Sequence, residues 1–124
     1  MSKHDDRVSL KDMLSHAREA VELLGAAGRD ELERDRVMQL ALTRLVEIVG
    51  EAANRVSAPT QQKRPEIPWA QIIGMRNRLV HGYDVIDLDL LWDTIRDDLP
   101  PLIAALEAIV KEAPPYTTRC GEPS

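Results

Sequence analysis

Eight consecutive residues, Arg76-Asn77-Arg78-Leu79-Val80-His81-Gly82-Tyr83, gather two guanidinium groups, a carboxamide, an imidazole and a phenol. Together these groups can hold a phosphate and move a proton. An imidazole titrates near pH 6.5, so His81 can take a proton from a 2′-hydroxyl or give one to a departing 5′-oxygen. A guanidinium stays charged and offers a planar fork to phosphate oxygens, which suits Arg76 to stabilise charge that builds in a transition state. Asn77 could orient the imidazole or a phosphate oxygen, and Arg78 could add an RNA contact. The chemistry these types suit is cleavage of a phosphodiester in RNA. That route needs no metal, and His4, His16, His81 and Cys120 show no ligand-like spacing. No Gly-rich phosphate loop and no nucleophilic Ser or Cys motif is present.

Geometry constrains how the groups can cooperate. If a helix persists through the motif, Arg76, Val80 and Tyr83 fall on one stripe. His81 then lies about 140° around the axis from Arg76, at about 100° per residue. One regular helix cannot aim both at a single atom unless its last turn is distorted. A two-fold dimer would solve this by pooling two copies of Arg76, Asn77 and His81 in one groove.

The elements that must position these residues read as four helices, with no competing strand pattern. Ser9 and Asp12 resemble a capping box for the first helix. Leu10, Met13, Leu14, Ala17, Val21 and Leu24 line one face of it, and Gly25 and Gly28 offer a stop. A second helix runs from about Asp30 to Ser57 with Val37, Leu40, Ala41, Leu45, Ile48, Val49 and Ala52 on a broad face. At about 25 residues it would span roughly 37 Å. A polar linker covers Ser57 to Ile67. Pro68 opens a third helix carrying Trp69, Ile72, Ile73 and Met75 as far as His81, with Gly82 as terminator. Asp87 caps a fourth, with Leu88, Leu91, Trp92, Ile95 and Leu99 on its apolar face. Pro100-Pro101 should kink or break this helix before Leu102, Ile103, Leu106, Ile109 and Val110 resume the pattern. The expected architecture is all-α, an up-and-down bundle of four to five helices over residues 1–112, with a disordered tail at 113–124.

Bulk properties agree with such a domain. The chain has 124 residues, 44% hydrophobic and 30% charged, with two Trp, two Tyr and no Phe. That length suits one domain with an aliphatic core. Cys120 is the single cysteine, which excludes an internal disulfide and points to a reducing, cytoplasmic setting. No apolar run reaches the roughly 18 residues of a membrane span. The net charge of −5 argues against a passive nucleic-acid coat. Its distribution is uneven: Gln61 to Tyr83 carries a net +3 and the rest of the chain −8. A small positive site on an acidic body suits a focused anion site.

The segment Pro65-Glu66-Ile67-Pro68-Trp69, followed by Ile73 to Tyr83, resembles the HepT-like branch of the HEPN superfamily. Glu47 to Ala53 and Asp97-Asp98-Leu99-Pro100 look like the same family, and the resemblance spans roughly Leu10 to Lys111. It implies a helical homodimer acting as the toxin of a type VII toxin–antitoxin pair, a metal-independent endoribonuclease without a cofactor. Arg76 and His81 fall on that family's catalytic positions. Tyr83 falls on the tyrosine that a nucleotidyltransferase antitoxin of the MntA-like type adenylylates to silence the toxin. An AMP group there would set bulk and a negative phosphate beside Arg76.

Each residue also has an ordinary reading. His81 could interact with a helix dipole, Arg76 could pair with Asp84 or Glu51, and Arg78 could be a solvated surface arginine. Trp69 and Trp92 read as core or dimer anchors. Lys63 and Arg64 belong to a solvated linker or guide RNA electrostatically. The rival to a nuclease is a non-catalytic adaptor, or a nucleotide-binding partner, of a minimal nucleotidyltransferase.

Overall fold

A computed structural model describes residues 5–82 and 85–112. The expected tail at 113–124, His4, Cys120 and the loop pair Tyr83 and Asp84 lie outside the described residues. The helix α1 (Asp6–Leu24) starts one turn earlier than the Ser9 signal suggests. Asp5 caps it instead, accepting from the Arg7 amide at 3.0 Å, while Ser9 is buried on its inner face with Leu10, Met13, Ala17 and Ala20. A serine hydroxyl satisfied inside a helix no longer marks its start. Gly25 ends α1 as expected, at φ +53° with its amide bonded to the Val21 carbonyl.

The expected helix from Asp30 to Ser57 is two helices, α2 (Arg29–Arg34) and α3 (Arg36–Arg55). Asp35 is extended between them, and its carboxylate accepts from the Met38 amide at 2.9 Å. The buried Gln39 side chain donates to the carbonyls of Leu32 and Glu33 at 2.8 and 3.1 Å. The break is thus satisfied on both sides: the cap serves the start of α3, and Gln39 serves the open carbonyls of α2. The expected linker holds a further helix, α4 (Ala58–Lys63), with Pro59 in its first turn, where the missing N–H costs nothing. Asp6 ties it to the start of α1, accepting from the Ser57 amide at 3.0 Å and from the Ser57 and Thr60 hydroxyls at 2.6 Å.

The third expected helix is interrupted at Gly74 and ends early, giving α5 (Trp69–Ile73) and α6 (Met75–Leu79). Trp69 is buried and its indole N–H donates to the Arg64 carbonyl at 3.0 Å. The chain then leaves helical geometry for a short antiparallel ribbon, which the sequence pattern did not anticipate. Its strands β1 (Val80–His81) and β2 (Val85–Ile86) pair Val80 with Ile86 and His81 with Val85.

Asp87 caps α7 (Leu88–Asp93) as expected, accepting from the Leu90 amide at 3.0 Å. The prolines at 100 and 101 do not break the rod. A π-helical turn, Thr94–Asp98, precedes α8 (Leu99–Glu112), and the Leu99 amide reaches back five residues to the Thr94 carbonyl. The wider turn absorbs two consecutive residues that cannot donate a backbone bond.

Among the described residues α1, α3, α5–α6 and α7–α8 form the main helical segments, with α2 and α4 as short additions, an all-α bundle. Leu10, Met13, Leu24, Leu42, Val49, Leu79, Leu91, Ile95 and Leu106 meet in one buried core. α1 lies chiefly on α3 and then on α8. Among the described residues, no helix is long and apolar enough to cross a membrane.

Candidate active site

Gly50 sets how closely the helix carrying the arginine approaches α3. A Cβ added there would sit 2.9 Å from the Ile72 carbonyl oxygen, so the bare backbone of α3 lies directly under the end of α5. One turn before Gly50 on α3 stands Glu47, and three residues beyond Ile73 on the opposing rod stands Arg76. Their side chains meet as an ion pair, with Arg76 Nε 2.9 Å from Glu47 Oε2. Of the two partners expected for Arg76, Glu51 instead takes Arg44, at 3.0 Å, and Asp84 lies outside the described residues.

Arg44 also approaches the other oxygen of Glu47, at 3.4 Å. Glu51, Arg44, Glu47 and Arg76 therefore form a chain of alternating charge from α3 to α6. Hydrogen bonding to Glu51 first, and its charge second, push the Arg44 guanidinium above its ordinary value, so it stays cationic. Glu47 is the least exposed of these side chains, at 14% against 60% for Arg76 and 58% for Glu51. A carboxylate this far from water needs cationic partners, and Glu47 has one on each oxygen.

His81 lies just past the point where α6 gives way to β1. In a strand, successive side chains face opposite sides. Val80 and Ile86 pack against the core, whereas His81 and its partner Val85 are exposed. Ending the helix at Leu79 departs from the regular helix expected as far as His81, and the strand that follows leaves His81 exposed. Gly82 follows at φ +68°, a left-handed conformation that lets the chain leave the strand.

Asn77 is exposed, and its carboxamide has no hydrogen-bond partner among the described residues. Arg78, two residues from Arg76, is turned the other way. It donates to the Gln71 carbonyl at 2.9 Å and lies 3.8 Å from the Met75 sulfur. Tyr83 lies outside the described residues. Lys63 ends α4 on the surface, and Arg64 follows it. Trp92 is half-buried with the Arg96 guanidinium 4.7 Å from its ring centre, an intramolecular cation–π contact.

A separate, largely apolar cleft of about 290 Å³ opens between α3, α5, the π-helical turn and α8. Val46, Ile67, Ile72, Met75 and Leu102 line it, with Thr94 and Asp98 among its polar groups. Neither Arg76 nor His81 reaches it. No cluster of three or more His, Cys, Asp or Glu side chains able to hold a metal ion occurs among the described residues.

Glu47 is the participant that motif spacing did not reveal. Its signal was nonetheless present: a lone carboxylate flanked by Val46, Ile48 and Val49 on an otherwise apolar stretch must find a cation.

A helical bundle displaying an Arg-x4-His motif at a helix-to-ribbon junction defines the class, a small all-α domain with an exposed arginine and imidazole. Comparison with known proteins is more specific. A family model described as ribonuclease HepT-like matches residues 13–109, and the chain belongs to this family of HEPN-type ribonuclease domains. A protein of Methanocaldococcus jannaschii named "Putative RNase MJ1380" is 32% identical over 109 residues, covering 88% of this chain and all of the relative. A protein of Thermococcus cleftensis named "Probable ribonuclease HepT" is 35% identical over 107 residues, covering 83% of this chain and 97% of the relative. No solved structure gives a significant match.

Proposed function

We propose that this protein is the toxin of a toxin–antitoxin pair, a metal-independent endoribonuclease that cuts RNA, tRNA included, at a site composed across a homodimer. The observation that carries this reading is the exposed Arg76 guanidinium, held at one edge by Glu47 and adjoining the junction where His81 turns to solvent. In the proposed reaction the 2′-oxygen attacks phosphorus as its proton passes to an imidazole. The bond to the 5′-oxygen breaks, and that oxygen takes a proton from a protonated imidazole, leaving a 2′,3′-cyclic phosphate. His81 acts as the acid–base, taking the first proton and returning one to the 5′-oxygen, with Arg76 of the other copy at the same phosphate. Arg76 binds the phosphoryl oxygens as charge accumulates, and Asn77 orients the imidazole or a phosphate oxygen. Arg78, facing Gln71, contributes charge to the approach of RNA more than to the reacting atoms.

Support for the dimer comes from α3. Val37, Leu40, Arg44, Glu47 and Glu51 share one stripe of that helix. Val37 is 77% exposed and Leu40 is 48% exposed. Val85, paired with His81, is also exposed. Apolar side chains left in water on the same face as the charge chain suit burial against a second copy. The family resemblance extends the reading to control: a partner nucleotidyltransferase antitoxin of the MntA-like type adenylylates Tyr83. The added AMP phosphate would compete for Arg76 and repel RNA.

Purified, unmodified protein should cleave end-labelled RNA in EDTA and leave cyclic-phosphate ends. Arg76→Ala and His81→Ala should each slow cleavage by roughly 10²- to 10⁴-fold. Inert wild-type protein, or variants as active as wild type, would overturn the proposal.

A further inference from the structure

We infer that Glu47 is a positioning residue for Arg76: it sets the plane of the guanidinium so that its two terminal nitrogens face outward to grip a phosphate. The inference rests on the ribonuclease reading above and adds to it a residue on a different element from the motif. Three observations carry it.

First, Glu47 meets Arg76 at Nε, the nitrogen nearest the main chain. Among the described residues the terminal nitrogens have no other ion-pair or hydrogen-bond partner. A guanidinium offers one edge through Nε and a second through its two terminal nitrogens, and the second edge matches two phosphate oxygens. Holding Nε leaves that second edge available. Second, Arg76 sits on a helix of five residues and is 60% exposed, so its own element does little to restrict its rotamers. Glu47, in the middle of the 20-residue α3 and only 14% exposed, is the rigid member of the pair. Third, Glu47 is braced on its other oxygen by Arg44, which is itself held by Glu51. The carboxylate is therefore fixed from both sides before any substrate arrives.

The arrangement also has an electrostatic signature that plain structural support would lack. Glu47 places a negative charge beside the position a phosphate would take. Its removal should leave RNA binding equal or stronger while the bound phosphate is held less well for reaction. A kcat loss with an unchanged or lowered KM is the expected split.

The test uses the full chain and steady-state cleavage of one RNA by wild type, Glu47→Ala, Glu47→Gln, Arg76→Ala and the double variant Glu47→Ala/Arg76→Ala, with thermal melting of each. Glu47→Ala should lower kcat by about 10- to 100-fold without raising KM. Glu47→Gln, whose carbonyl still accepts from Nε, should recover to within about threefold of wild type. In the Arg76→Ala background, Glu47→Ala should cost nothing further. Wild-type kcat for a folded Glu47→Ala, beside an inactive Arg76→Ala, sinks this inference and leaves the ribonuclease reading intact. So does an equal loss from Glu47→Ala with and without Arg76. If Glu47→Ala does not fold, the Gln variant decides: a fall as deep as Arg76→Ala with rising KM overturns it. Wild-type protein that fails to cut RNA removes both readings together.

Discussion

Arg76 and Arg78 are two residues apart, which on a helix turns their side chains roughly 200° from one another. This explains why one joins the charge chain on α3 while the other lies back along Gln71 and Met75, toward the cleft. Arg78 is close enough to Asp98 for its charge to favour that carboxylate, yet Asp98 still titrates above the ordinary aspartate range. Loss of water is the main cause, followed by repulsion from Asp97 and then Asp93. A raised carboxyl pKa means that the folded chain holds its proton more tightly than the unfolded chain does. Ionised Asp98 therefore costs stability at neutral pH, and the cost disappears as pH falls below the ordinary carboxylate range. Asp98→Asn should accordingly stabilise the protein at pH 7 by less than about 1 kcal/mol, since the carboxyl keeps solvent contact. Melting curves at pH 7 and near pH 3 check this. The variant's advantage should be present at the first and absent at the second.

At the scale of elements, the approach of α5 to α3 decides where α6, and with it Arg76, can stand. Gly50 permits that approach, because a methyl group there would collide with the Ile72 carbonyl, which is backbone and cannot swing aside. Gly50→Ala should gain helix propensity and still lose about 1–2 kcal/mol net from the forced separation. Urea unfolding should show a lower midpoint with an unchanged slope. Gly50→Val should be worse, and both should weaken cleavage by moving Arg76 away from Glu47. Much of this framework was legible in the chain. Gly25 as a stop, Asp87 as a cap and the apolar face of α1 follow from local rules that the tertiary structure does not override, whereas α3 buries Leu42, Val46, Val49 and Ala53 and leaves Val37 and Leu40 of its expected face in water. What was hidden depends on partners distant in sequence or on backbone compromise. Asp35 breaks a periodic helix because Gln39 can close the exposed carbonyls of α2. The rod containing Pro100-Pro101 survives through a π-helical turn. The ribbon at Val80–Ile86 is too short for a period-two pattern to register. In the candidate site the motif residues were visible as a cluster of types, whereas Glu47 showed only as a carboxylate between apolar neighbours, and its pairing with Arg76 across 29 positions leaves no spacing to read.

For the whole molecule, the net charge of −5 presents nucleic acid with an acidic body, and Arg76 of the motif and Arg44 beside it are already ion-paired. An isolated protomer thus offers RNA a small anchor, and combining two protomers doubles it without changing the acidic body. The exposed Val37, Leu40 and Val85 fit the same arrangement, being apolar surface beside the charge chain and the imidazole. If each scissile phosphate is served by Arg76 of one copy and His81 of the other, two inactive variants should rescue one another. In a randomised mixture of Arg76→Ala and His81→Ala proteins, about half the dimers are mixed. Each mixed dimer has one site with both groups intact and one with neither, so the mixture should regain about a quarter of wild-type activity. Sedimentation equilibrium should show a dimer at micromolar concentration, and dilution should remove the recovered activity along with the dimer. If both groups of a site belong to the same copy, every site in the mixture lacks one of them. A dimeric mixture that stays as inactive as its components would therefore place Arg76 and His81 of each site on a single chain.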